Sequence, residues 1–150
     1  MEMIYKVSIE RCIGCGKCEL ACAFAHGSEG SPAKTRINIF HRGPEVGTPV
    51  VCFQCGDAAC AAICPTHAIV RNERTGAFEV DEGRCILCRM CIPACPFGNM
   101  LWDDAYHRVA KCDLCGGDPK CVPFCPTGAL VYVPAAEAKR RPEPLVREAV

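Results

Sequence analysis

No run of apolar residues in this 150-residue chain approaches the length of a membrane span. The opening stretch, Met1 to Cys12, has no basic n-region, no apolar h-region and no twin arginine, so the sequence predicts a cytoplasmic protein made without a signal. An excess of one charge is lacking as well. The 17 Lys and Arg face 17 Asp and Glu, and without a basic surplus nothing points to nucleic acid. Nor is there a nucleophile paired with a base, or a glycine-rich loop for a nucleotide.

What the chain has is cysteine, 16 of them, all within four motifs. Cys85, Cys88, Cys91 and Cys95, followed by Pro96, are spaced C-x2-C-x2-C-x3-C. That spacing is the signature of a [4Fe-4S] cluster, because a short loop lays three thiolates against three corners of a cube but cannot wrap round to the fourth. Pro96 redirects the chain, and Cys95 is carried away towards a second cluster. Cys52, Cys55, Cys60 and Cys64 repeat the motif with x4 in the second gap, and Cys112, Cys115, Cys121 and Cys125 with x5. Cys12, Cys15, Cys18 and Cys22 repeat it with Ala23 where proline stands in the others.

A disulfide scaffold would need an oxidising compartment, and zinc usually takes two CxxC pairs across a longer spacer, so iron-sulfur is the better reading. Sixteen thiolates fill the sixteen ligand places of four [4Fe-4S] clusters. No open metal position is left for a substrate, and none of His26, His41, His67 and His107 is needed as a ligand. Outer-sphere electron transfer is the chemistry that remains. Each cluster with its thiolates carries a charge of about −2, so basic residues are expected nearby. Arg11, Arg84 and Lys111 directly precede motifs, and Lys17, Arg89 and Lys120 lie inside them.

In chain order, residues 3 to 9 predict a strand leading to the first motif, where Gly14 and Gly16 let the backbone approach the sulfides. The glycine- and proline-rich stretch 23–49 reads as a surface excursion around one strand, 36 to 41. From 49 to 96 the sequence reads as a small ferredoxin: motif, strand 68 to 70, turn through Asn72 and Gly76, strand 78 to 81, motif. CPTHAIV, from Cys64, and CPTGALV, from Cys125, are one phrase repeated. The predicted fold is therefore α+β: a duplicated bacterial dicluster ferredoxin-like fold with one unit inserted into another, stapled by clusters, with short strands and helical turns. Residues 1–48 with 97–133 form the outer unit and 49–96 the inner one. Trp102 is assigned to packing. The tail, 134–150, is read as an arm that orders on a partner.

Four motifs in this order, with the lengthened gaps in the second and fourth, resemble the four-cluster electron-transfer subunits of the DMSO-reductase iron-sulfur family over about residues 4 to 133. The resemblance implies four ligand sets: Cys12, Cys15, Cys18 with Cys125; Cys112, Cys115, Cys121 with Cys22; Cys52, Cys55, Cys60 with Cys95; and Cys85, Cys88, Cys91 with Cys64. It implies a non-catalytic subunit that relays single electrons between a catalytic oxidoreductase subunit, with a tungsten or molybdenum cofactor, and a redox acceptor such as a flavin subunit. The chain is similar to the small soluble members serving tungsten-dependent aldehyde oxidoreductases, carbon monoxide dehydrogenase or formate hydrogenlyase, with the tungsten enzymes favoured. A free diffusible polyferredoxin is the alternative. The clusters are expected to run outer, inner, inner, outer, with an entry and an exit at opposite ends through which copies could also self-associate.

Overall fold

The computed structural model describes residues 3–134 and Ala136. With 13 glycines and 12 prolines the chain cannot sustain long elements, and its regular pieces are short. Among the described residues there are four two-stranded antiparallel ribbons. β1 (Met3–Val7) pairs with β8 (Leu130–Pro134), Val7 lying opposite Leu130. β2 (Ile37–Gly43) pairs with β3 (Val46–Val51), β4 (Ile69–Arg71) with β5 (Phe78–Val80), and β6 (Leu101–Asp103) with β7 (Arg108–Ala110). Three helices, α1 (Lys17–Ala25), α2 (Ala59–Ala62) and α3 (Cys91–Ala94), each carry a buried cysteine. The architecture is the α+β dicluster ferredoxin fold expected from the motifs.

A two-stranded ribbon is marginal in water on its own, so these four depend on what they pack against. Two apolar cores supply it. The first gathers Ile37, Val51, Leu114 and Leu130 around Cys18, Cys22, Cys112 and Cys121. The second gathers Ile69, Met100 and Val109 around Cys60 and Cys91. Cysteines belong to both cores, as expected where metal sites take the place of large side chains.

The predicted hairpin between the second and third motifs is present, with Ile69 opposite Val80 and the turn closed by Asn72 N donating to Ala77 O at 2.7 Å. One sequence expectation changes. The stretch 23–49 is not a surface excursion: Ile37 is 1% exposed and enters the first core, and the β2–β3 hairpin lies against the first motif, where Gly47 N donates to Cys12 O at 3.4 Å. Scattered glycines and prolines hid a hairpin whose apolar face is short. The β6–β7 hairpin sends Met100, Trp102 and Val109 to the second core, although in sequence it follows the last motif of the inner stretch. Tyr106 ties this hairpin back to the 23–49 stretch, its hydroxyl accepting from Ser28 N at 2.6 Å and donating to Ser31 O at 2.5 Å. The arm expected over 134–150 lies outside the described residues apart from Pro134 and Ala136.

Candidate metal centre

Helical spacing decides how the first motif is used. Cys18 and Cys22 lie one turn apart on one face of α1, each 7% exposed, so a single helix presents a thiol to each of two neighbouring sites. In the other motifs proline follows the last cysteine, and among the described residues no helix runs through that cysteine.

Three cavities of similar size each gather three cysteines of one motif with the last cysteine of another. Cys12, Cys15, Cys18 and Cys125 line one of about 310 Å³. Cys52, Cys55, Cys60 and Cys95 line one of about 390 Å³. Cys64, Cys85, Cys88 and Cys91 line one of about 340 Å³. The remaining four, Cys22, Cys112, Cys115 and Cys121, are gathered by shared neighbours: the Tyr5 ring feels Cys112, Cys115 and Cys121, and His26 contacts both Cys22 and Cys115. Four cysteines round an apolar hollow, found three times, suit [4Fe-4S] clusters, and 16 cysteines correspond to four of them.

The environments of the sulfurs differ by position in the motif. Third cysteines are buried, and burial pushes Cys18 up to about 12 and Cys91 up to about 11 while also raising Cys60 and Cys121. Last cysteines receive backbone donors. Ala68 N donates to Cys64 Sγ at 3.3 Å, Asn99 N to Cys95 Sγ at 3.3 Å and Ala129 N to Cys125 Sγ at 3.2 Å. Cys22 Sγ accepts instead from Arg36 N at 3.2 Å. Burial opposes the thiolates of Cys22, Cys64 and Cys125, yet hydrogen-bond donors outweigh it and lower all three, His26 ahead of the Arg36 amide at Cys22.

Sequence reasoning missed several side chains that hold the sites. Tyr5 places its hydroxyl 3.3 Å from Cys121 Sγ, and burial foremost raises its own pKa, so the O–H stays on as a donor. Asp113 carries Arg36 Nη1 at 2.8 Å and His26 Nε2 at 3.1 Å. Burial pulls the His26 imidazole down, but its bonds to Asp113, Cys115 and Cys22 win and push it up to about 12. Of the basic residues expected near clusters, Lys111 alone is buried, at 4% exposure; Arg89 stacks over Trp102 at 3.6 Å, Lys120 pairs with Asp118 and Arg84 with Asp81. A lysine or arginine beside a motif looks the same in sequence whether it points in or out.

The expected order of sites also changes. Cys18 feels Cys121 and Cys125, Cys112 feels Cys52, and α2 packs on α3. The order is therefore outer, outer, inner, inner, because motifs that exchange a cysteine must be neighbours. The ends are the first-motif and third-motif sites, and each has one exposed cysteine, Cys15 and Cys88.

The chain matches the 4Fe-4S dicluster domain family over residues 46–134 and a 4Fe-4S binding domain over residues 9–25. It is 40% identical over 119 residues to the polyferredoxin-like subunit of an aliphatic sulfonate oxidoreductase of Pyrococcus furiosus, covering 79% of this chain and 69% of that one. The electron transport protein HydN of Escherichia coli is 35% identical over 165 residues, covering 87% and 91%. The β subunit of the NADH-dependent phenylglyoxylate dehydrogenase of Aromatoleum evansii is 36% identical over 129 residues, covering 84% of this chain but 29% of the relative.

Proposed function

Because the chain belongs to the 4Fe-4S dicluster family of electron-transfer subunits, we propose that its catalytic partner is a tungsten-dependent aldehyde oxidoreductase, from which it relays single electrons to a flavin subunit or a second copy of itself. It is not itself a catalyst. The observation that carries the relay is the line of four cysteine-lined sites with an exposed cysteine at each end. Partnership with a catalytic subunit is supported by two relatives named as subunits of oxidoreductases. Among the described residues no helix is long and apolar enough to cross a membrane, and the assignment to the cytoplasm is part of the proposal.

The clusters would be held by the four ligand sets: Cys12, Cys15, Cys18 and Cys125; Cys22, Cys112, Cys115 and Cys121; Cys52, Cys55, Cys60 and Cys95; Cys64, Cys85, Cys88 and Cys91. Bound there, they supply one-electron uptake and release. The chain does the rest. Its amides, among them Ala68, Asn99, Ala129 and Arg36, donate to the sulfur of the last cysteine of each motif. Its apolar cores keep water from the inner faces of the sites. The division into an outer unit (1–48 with 97–133) and an inner unit (49–96) is supported by β1 pairing with β8 around a contiguous β4–β5 hairpin.

Anaerobic purification of the tagged chain from its own host, followed by native mass measurement and metal analysis, tests the partner. A defined complex with a larger subunit and tungsten in proportion is expected. A complex without tungsten would overturn that partner, and an iron-only monomer would favour a free polyferredoxin.

A further inference from the structure

Lys111 occupies a position that the relay does not use. Its side chain is buried at the junction of the two middle sites, and its Nζ donates to two neutral oxygens, Gln54 Oε1 at 2.9 Å and Cys112 O at 3.1 Å. Gln54, 7% exposed, fixes this arrangement: Nε2 donates to Cys112 O at 2.8 Å, and Oε1 also accepts from Phe78 N at 2.9 Å. Among the described residues Lys111 makes no ion pair. The carboxylates of the adjoining cleft are engaged elsewhere, Asp113 by His26 and Arg36, Glu79 by Asn72 and Glu82 by Arg108. A buried ammonium without a carboxylate is costly to desolvate, so an opposite charge should face it. Lys111 lines the cavity of Cys52, Cys55, Cys60 and Cys95 and is bonded to the backbone of Cys112, the first cysteine of the neighbouring set.

We propose that Lys111 is a positioning charge that raises the reduction potentials of the two middle clusters, those of Cys52, Cys55, Cys60, Cys95 and of Cys22, Cys112, Cys115, Cys121. The inference rests on these ligand sets. Reduction adds one electron from an external donor, dithionite in the test, and makes a cluster one charge more negative while breaking no bond. A fixed cation at the junction stabilises the reduced form more than the oxidised form. The middle of the chain then holds electrons and the two ends exchange them.

The test is a potentiometric titration followed by electron paramagnetic resonance on the fully iron-loaded protein and its Lys111→Met and Lys111→Arg variants. The end clusters are identified by their loss in Cys15→Ser and Cys88→Ser. In Lys111→Met the reduction equilibrium of at least one middle cluster should fall by about tenfold, which is 59 mV for one electron, while the end clusters stay put and Lys111→Arg restores most of the shift. Unchanged potentials in loaded Lys111→Met would overturn the proposal. If that variant does not load, the reduced wild-type protein made with lysine labelled at the ε-nitrogen with 15N should show one coupled nitrogen in pulsed resonance, and its absence would overturn it equally. Wrong ligand sets would reveal themselves separately, since Cys15→Ser or Cys88→Ser would then abolish some other signal.

Discussion

The first motif of the outer half finishes in a different way from both motifs of the inner half. Cys64 and Cys95, in the inner half, are followed by proline, and each accepts an N–H from the residue four positions on, Ala68 and Asn99. Cys125 in the outer half does the same with Ala129. Cys22 has no proline after it. The helix runs on, His26 N is taken by Cys22 O at 3.3 Å, and the donor to sulfur comes from Arg36, 14 residues away. Where proline follows, no helix runs through the last cysteine, and the amide four residues on lies against its sulfur. Where the helix continues, a separate segment must bring a donor, and the 23–49 stretch is the segment that does so.

Removing iron should erase the comparison altogether. Both cores are built round cysteines, so chelation under air is expected to unfold the outer and inner halves together, followed by circular dichroism; a cluster-free chain with native dichroism would contradict this. Next in size are single ligands. Cys22→Ser should remove the fourth-motif cluster, about a quarter of the iron, and leave the cluster of Cys12, Cys15 and Cys18 in place. Resonance spectra and iron analysis decide it, and loss of the first-motif cluster instead would show that the exchange is wrong.

Gly47→Ala probes the same half without replacing a ligand. A Cβ there would lie 2.9 Å from Cys12 Sγ and 2.9 Å from Gly14 Cα, and backbone cannot yield as a side-chain tip can. The first-motif cluster should be lost or turn unstable to mild chelator while the inner pair stays intact, seen in the rate of iron release; wild-type release would mean that the hairpin moves aside freely. The smallest effect belongs to the repeated phrase. His67 has φ 51° where its outer counterpart Gly128 has φ 65°, so the inner half places a side chain in the left-handed region. His67→Gly should change stability by no more than about 1 kcal/mol, relief of strain offset by the entropy of glycine, measured by denaturant midpoint of the loaded protein.

Much of this was legible beforehand because cysteine spacing is a local code. The motifs, the β4–β5 hairpin and the repeated Cys-Pro-Thr phrase all depend on residues close in sequence. Arg36 was not legible, since it acts on Cys22 through its backbone N–H, a group that every residue but proline carries. Gln54 and Tyr5 act across long separations, Gln54 on Cys112 and Tyr5 on Cys121, and nothing in their neighbourhoods marks them. Lys111 was noted beside its motif, but Arg84 held an equivalent place and proved exposed.

The pairing of β1 with β8 sets a timetable for synthesis. Inner strands β4 and β5 meet across a short turn, so their pairing needs only residues close together in the chain. β1 must wait for β8, nearly the whole chain later, and Cys12, Cys15 and Cys18 wait with it for Cys125. The thiols of the first motif are thus among the last to be enclosed, and closing the longest loop carries the largest entropic cost. Those cysteines must stay reduced and unpaired until Cys125 and β8 have been made. Shortage of iron or sulfide should therefore leave chains that are closed in the middle and open at the first motif.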